Sequence, residues 1–152
     1  MSRSEYTDDC DGWDLVRWRG AVTSAMRGKR GQALLIELAE AMDAMQVKEL
    51  IAHELVKQGG VCALGVVGQK RGIALESIDP EDHRTVAKQF GIANALAQEI
   101  VFMNDEAAWN DETPQQRWSR MRRWVDINIL KEQSGVIAQG NEKLLFLTGG
   151  NG

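Results

Sequence analysis

A chain of 152 residues, 43% hydrophobic and 26% charged, has the composition of one soluble globular domain and is long enough to bury a core without disulfides or metal. Its net charge of -4 argues against generalised electrostatic binding to nucleic acid, and Cys10 and Cys62 are too few and too far apart for a disulfide framework or a paired zinc motif. The polar, acidic start of the chain offers no apolar signal segment, and no apolar stretch reaches membrane-spanning length, so a reducing cytoplasm is the expected setting.

Residues 1–12 read as a flexible acidic arm carrying Glu5, Asp8, Asp9 and Asp11. Order is expected from Trp13. Over 13–26, Trp13, Leu15, Val16, Trp18, Ala21, Val22, Ala25 and Met26 form a broad apolar stripe, with Arg17, Arg19 and Arg27 on the wetter side. Gly28-Lys29-Arg30-Gly31 breaks this helix, and a second follows over 32–45, where Leu34, Leu35, Ile36, Leu38, Ala39, Ala41 and Met42 mark a central core element. Residues 47–56 satisfy both a helical and an alternating pattern and read as extended or mixed. Gly59-Gly60 signals a turn, and 61–67 is an apolar run too short to classify by period. One short β-hairpin is placed within 47–67.

Residues 79–105 carry the clearest local signals. Asp79 as N-cap and Pro80 at the first helical position predict a helix from 80 to 90 that stops at Gly91. A second helix is expected over 92–103, with Ile92, Leu96, Ile100 and Met103 on one stripe. An acidic loop, 104–112, leads to Thr113-Pro114-Gln115-Gln116, a capping box. The helix behind it carries Trp118, Met121, Val125 and Ile129 on one side and Arg117, Arg120 and Arg123 on another. The glycine-rich tail, 131–152, surrounds Leu144, Leu145, Phe146 and Leu147, an apolar patch able to meet another copy of the chain. The pattern is a mainly α, single compact domain of about five helices over 13–130.

Three chemistries can be weighed against these elements. Ala87, Gly91, Ile92 and Ile100 match the core positions of a helix-turn-helix, which would present Ala93, Asn94 and Gln98 to DNA. That helix offers no arginine or lysine for guanine or phosphate, and Ala97 stands where a larger residue is usual. Catalysis and metal binding find no support: His53 has no second histidine four residues on, no nucleophile elbow occurs, neither acidic cluster has calcium-loop spacing, and Cys62 reads as a buried thiol. Neither a cofactor nor enzymatic activity is expected. Protein binding fits better, because Trp109 sits in an acidic loop where a large ring marks a contact, next to Arg117, Arg120 and Arg123.

The phrases DGWDLVRWRGAV, RGKRGQALL, IAHELVKQGGVCALGVVG, FGIANALAQEIVFMND and ETPQQRWSRMRRWV together resemble a family of small proteins encoded in tailed bacteriophages and prophages, over about 1–129. The resemblance implies a phage origin and a role inside the host cell during infection or lysogeny, and carries no catalytic residues. The expected function is a non-enzymatic accessory protein that binds a host or phage protein. A DNA-binding regulator is the alternative, and a structural or oligomeric phage component a third.

Overall fold

The computed structural model describes residues 3–6, 12–108 and 111–130, which form six α-helices and one two-stranded hairpin. Helix α1 (Gly12–Arg27) and helix α2 (Lys29–Asp43) meet at Gly28, whose backbone is extended and which caps α2 without a side-chain bond. The close turn depends on a second glycine. A Cβ at Gly31 would sit 2.9 Å from the Ala25 carbonyl carbon and 3.0 Å from the Met26 oxygen, so only glycine lets α2 begin directly beneath the end of α1. Helix α2 is the central element expected: Leu34, Leu35, Leu38, Ala39, Ala41 and Met42 are buried against α1, α3 and α6.

The ambiguous stretch resolves into irregular chain and a minimal hairpin, β1 (Val56–Lys57) and β2 (Gly60–Val61), antiparallel with Val56 opposite Val61. Gln58 and Gly59 both take positive φ, 50° and 83°, the condition for a two-residue turn that matches strand twist. The apolar run that period could not classify becomes helix α3 (Ala63–Arg71), a sixth helix beyond the five expected. Residues 63–68 are buried without interruption, so no polar face exists to reveal the helical period. Cys62 is buried, as expected, and also caps α3, its sulfur accepting from the Gly65 N–H at 3.4 Å.

Helix α4 (His83–Phe90) starts three residues later than the Pro80 start expected. Asp79 spends its side chain on the Glu81 N–H and closes a turn, while Asp82 accepts from both the backbone N–H and the hydroxyl of Thr85 and is the actual cap. Gly91 ends α4 at φ 67°, as its sequence position required. Helix α5 (Asn94–Asp105) follows after two further residues, and helix α6 (Pro114–Asn128) opens on the complete capping box of Thr113 and Gln116. Met121 and Val125 of α6 and Leu96, Ile100 and Val101 of α5 are buried in the same core as Phe90 of α4.

Candidate interaction surface

Three of the four arginines on α6 serve the fold. Arg117 donates to the Asn104 carbonyl at 2.9 Å and to that of Leu50 at 3.3 Å. Arg120 grips Glu112 with both guanidinium arms, at 2.7 and 3.0 Å, and donates to the carbonyls of Met103 and Asn104 at the end of α5. Cations there meet carbonyls that the helix leaves without intrahelical donors. The hydrogen bond from Arg120 holds the Glu112 carboxyl below the usual carboxylate range against a smaller opposing effect of burial. Arg122 pairs with Asp43 on α2 at 2.8 and 3.1 Å. Arg123 remains exposed, and Trp109 lies outside the described residues, as do Leu144, Leu145, Phe146 and Leu147. Of the protein-binding set read from sequence, the structure thus brings Arg117 and Arg120 together around Glu112 and leaves Arg123 apart.

The helix that would read DNA is enclosed. Every residue of α5 is buried or half-buried, whereas a recognition helix must project into a groove. Residues 3–6 run over it: Gln98 donates to the Ser4 carbonyl at 3.1 Å, Ser4 donates to Glu106 at 2.6 Å and Tyr6 to Glu99 at 2.8 Å. Arg3, buried, pairs with Asp105 through two bonds of 2.7 Å. Burial alone would push the Asp105 carboxyl up, but the hydrogen bonds and charge of Arg3 outweigh it and hold it below the usual range. Ala93 caps α5 through its extended backbone alone, and Asn94 is half-buried. Asn104 bridges three segments, accepting from the Ala63 N–H at 3.1 Å and donating to the Ile51 carbonyl at 2.9 Å.

Helix α1 presents a different surface. Val22 is its one fully buried residue among sixteen, so the helix is attached along a narrow line. Ala25 and Met26 pack against the core, Trp18 against Tyr6, and Arg19 reaches Glu99 at 2.9 Å. Two apolar residues of the expected stripe face outward, Trp13 at 76% and Val16 at 63% exposure, while Leu15, 46% exposed, lies on the Val22 side of the helix. Trp13, Val16, Gly20, Ser24 and Arg27 recur every three or four positions and form one outward stripe opposite Val22. Arg17 flanks it, Arg27 ends it, and Lys29 and Arg30 follow at the start of α2, all four exposed and without ion pairs among the described residues. Val47, Ile127 and Leu130 are also exposed.

The sequence contained the signal for this face. At helical spacing Trp13 and Val16 cannot share a side with Val22, so the broad stripe divides into a core line and an outward line. Among the described residues no group of three or more His, Cys, Asp or Glu side chains is placed to hold a metal, and no helix is long and apolar enough to cross a membrane. Comparison with protein-family models, with curated proteins and with solved structures finds no match.

Proposed function

We propose that this chain is a non-enzymatic protein-binding module that works through the outward stripe of α1. The observation that carries this reading is a tryptophan and a valine, one turn apart, exposed on a helix whose other side is fixed to a well-packed core. Covering the exposed part of Val16 would contribute about 1–2 kcal/mol before the costs of association, and a tryptophan offers the larger area and rigid ring that dominate contact energetics. The exposed cations Arg17 and Arg27 on α1 favour a partner whose apolar site has an acidic margin. In keeping with the resemblance to phage-encoded proteins, the module is assigned an accessory role in the host cell, modulating the protein it meets.

The test replaces Trp13 and Val16 by serine together and follows the size at which the tagged chain elutes from a lysate of cells that carry it. The unaltered chain is expected in an assembly larger than its own 16.9 kDa, and the variant at the mass of one chain with its helical circular dichroism retained. Identical elution of the two would end the assignment of this face.

A further inference from the structure

We propose that the cleft between α1 and α5 is a peptide-recognition site, filled in this structure by the chain's own residues 3–6 and able to exchange them for a partner segment with arginine and tyrosine at the same spacing, Arg-x-x-Tyr. This site is separate from the outward stripe of α1 and does not depend on it. Its occupant is held by side chains in two pockets. Arg3 enters a closed one, where both oxygens of Asp105 accept from its guanidinium at 2.7 Å and the two side chains are each only 3% exposed. A planar, bidentate pair of this kind is specific for arginine, because the ammonium of lysine cannot reproduce the fork. Tyr6 enters the other pocket. Its ring meets Trp18 of α1 edge-on with centroids 3.7 Å apart and Phe102 of α5 at 4.9 Å, while its hydroxyl donates to Glu99 at 2.8 Å. Phenylalanine would leave that hydrogen bond unmade.

Between these anchors the segment is less closely read. Ser4 donates to Glu106 and accepts from Gln98 through its carbonyl, and Glu5 is exposed. The first and fourth positions therefore carry the specificity, as a few deep anchors do in recognised peptides. The fit of the chain's own segment is imperfect in two places. Glu5 takes φ 57°, the left-handed region that a side chain disfavours, and Arg3 Nη1 is buried with no hydrogen-bond partner among the described residues. Both features weaken the hold of the tethered segment and favour its exchange. The walls have supports of their own. Asp105 also accepts from the His53 N–H at 3.1 Å and from the Asn104 side chain at 2.8 Å, and the buried Glu99 also accepts from Arg19 at 2.9 Å. Leu96, Ala97, Ile100 and Val101 fix α5 in the core. A partner segment competes with a tethered rival whose effective concentration is about millimolar, so it binds the emptied cleft more tightly than the filled one.

The experiment follows the fluorescence anisotropy of a labelled peptide, Ser-Arg-Ser-Glu-Tyr-Thr, the sequence of residues 2–7, titrated with the full chain carrying Arg3→Ala and Tyr6→Ala and with the unaltered chain. The double variant is expected to bind the peptide at least about tenfold more tightly than the unaltered chain, and peptides with alanine in place of the arginine or of the tyrosine should each lose about tenfold or more. Tyr6→Ala alone keeps the buried Arg3–Asp105 pair and serves if the double variant loses its helical circular dichroism. It too should gain affinity for the peptide. A folded variant that binds the peptide no better than the unaltered chain, or that binds the alanine-substituted peptides equally well, overturns the proposal and makes residues 3–6 a fixed part of the fold.

Discussion

Replacing Gly31 by alanine should destabilise the protein by about 2–3 kcal/mol, while the same change at Gly20 should stabilise it by about 0.5–1 kcal/mol. At Gly31 the new methyl group would overlap the backbone at Ala25 and come within 3.0 Å of the Met26 oxygen, and backbone cannot rotate aside as a side chain can. Helix α1 must lift from α2. That movement strains the junction held by Gln32, which donates to Met26 at 2.7 Å and to Asn128 at 3.1 Å and accepts from the Leu130 N–H at 2.9 Å. Overpacking of this kind costs about 1–3 kcal/mol and a weakened buried hydrogen bond about 1 kcal/mol more. Against these stands about 0.4–1 kcal/mol from the reduced freedom of the unfolded chain. Urea melts monitored by circular dichroism, run at a concentration low enough to keep the chain monomeric, would read both variants with a common slope. For a chain of this size the Gly31 change corresponds to a loss of about 4–12 °C in Tm. A Gly31→Ala variant as stable as the unaltered protein, or more stable, would refute the close α1–α2 approach, and a destabilising Gly20→Ala would contradict the open space at Gly20.

Asn104→Ala should cost about 1–3 kcal/mol, because it leaves the buried Ala63 N–H and the Ile51 carbonyl without their bridge, and denaturant unfolding would measure the loss. Thr113→Ala removes the acceptor for the Gln116 N–H and should cost about 0.5–2 kcal/mol in the same assay. Arg120→Ala should destabilise by about 1–3 kcal/mol and Arg123→Ala by less than about 0.5 kcal/mol, so a chain indifferent to Arg120→Ala would contradict its place over the end of α5. Glu37, Asp43, Asp105 and Glu112 all have folded-state pKa values below those of the unfolded chain. Their contribution is therefore complete above the ordinary carboxylate range and is lost as pH falls through it and below, toward the lowered folded values. Stability measured from neutral to acid pH should decline across that window, and a flat profile would contradict the four carboxylate contacts.

Local chemistry was readable from sequence wherever one residue carried it. Gly91 needs positive φ and the Thr113–Gln116 box needs its two side chains, so each was placed from sequence alone, and the apolar circumference of α2 marked it as central although it begins at Lys29, inside the stretch read as a break. The start of α4 was misplaced because Asp79 and Asp82 are both good caps, and only the competing turn at Asp79 decides between them. Helix α3 escaped notice because burial on all sides erases the contrast that periodicity depends on. The arginines of α6 look like a free basic face in one dimension. Arg117 and Arg120 are occupied only because folding delivers the final carbonyls of α5 and the Glu112 carboxylate to them. The outward line of α1 was present in the spacing of Trp13, Val16 and Gly20, yet a single broad stripe concealed it until Val22 fixed which side met the core.

The most direct test of α1 as the contact face is a photo-crosslinking residue placed at Val16 in cells that carry the chain, compared with the same residue at Arg84, which is exposed on α4. Protein adducts at Val16 that disappear with Trp13→Ser, and none above background at position 84, are the predicted result. Equal labelling at the two positions, or no adduct at Val16, would show that the stripe meets nothing and would contradict the proposed function.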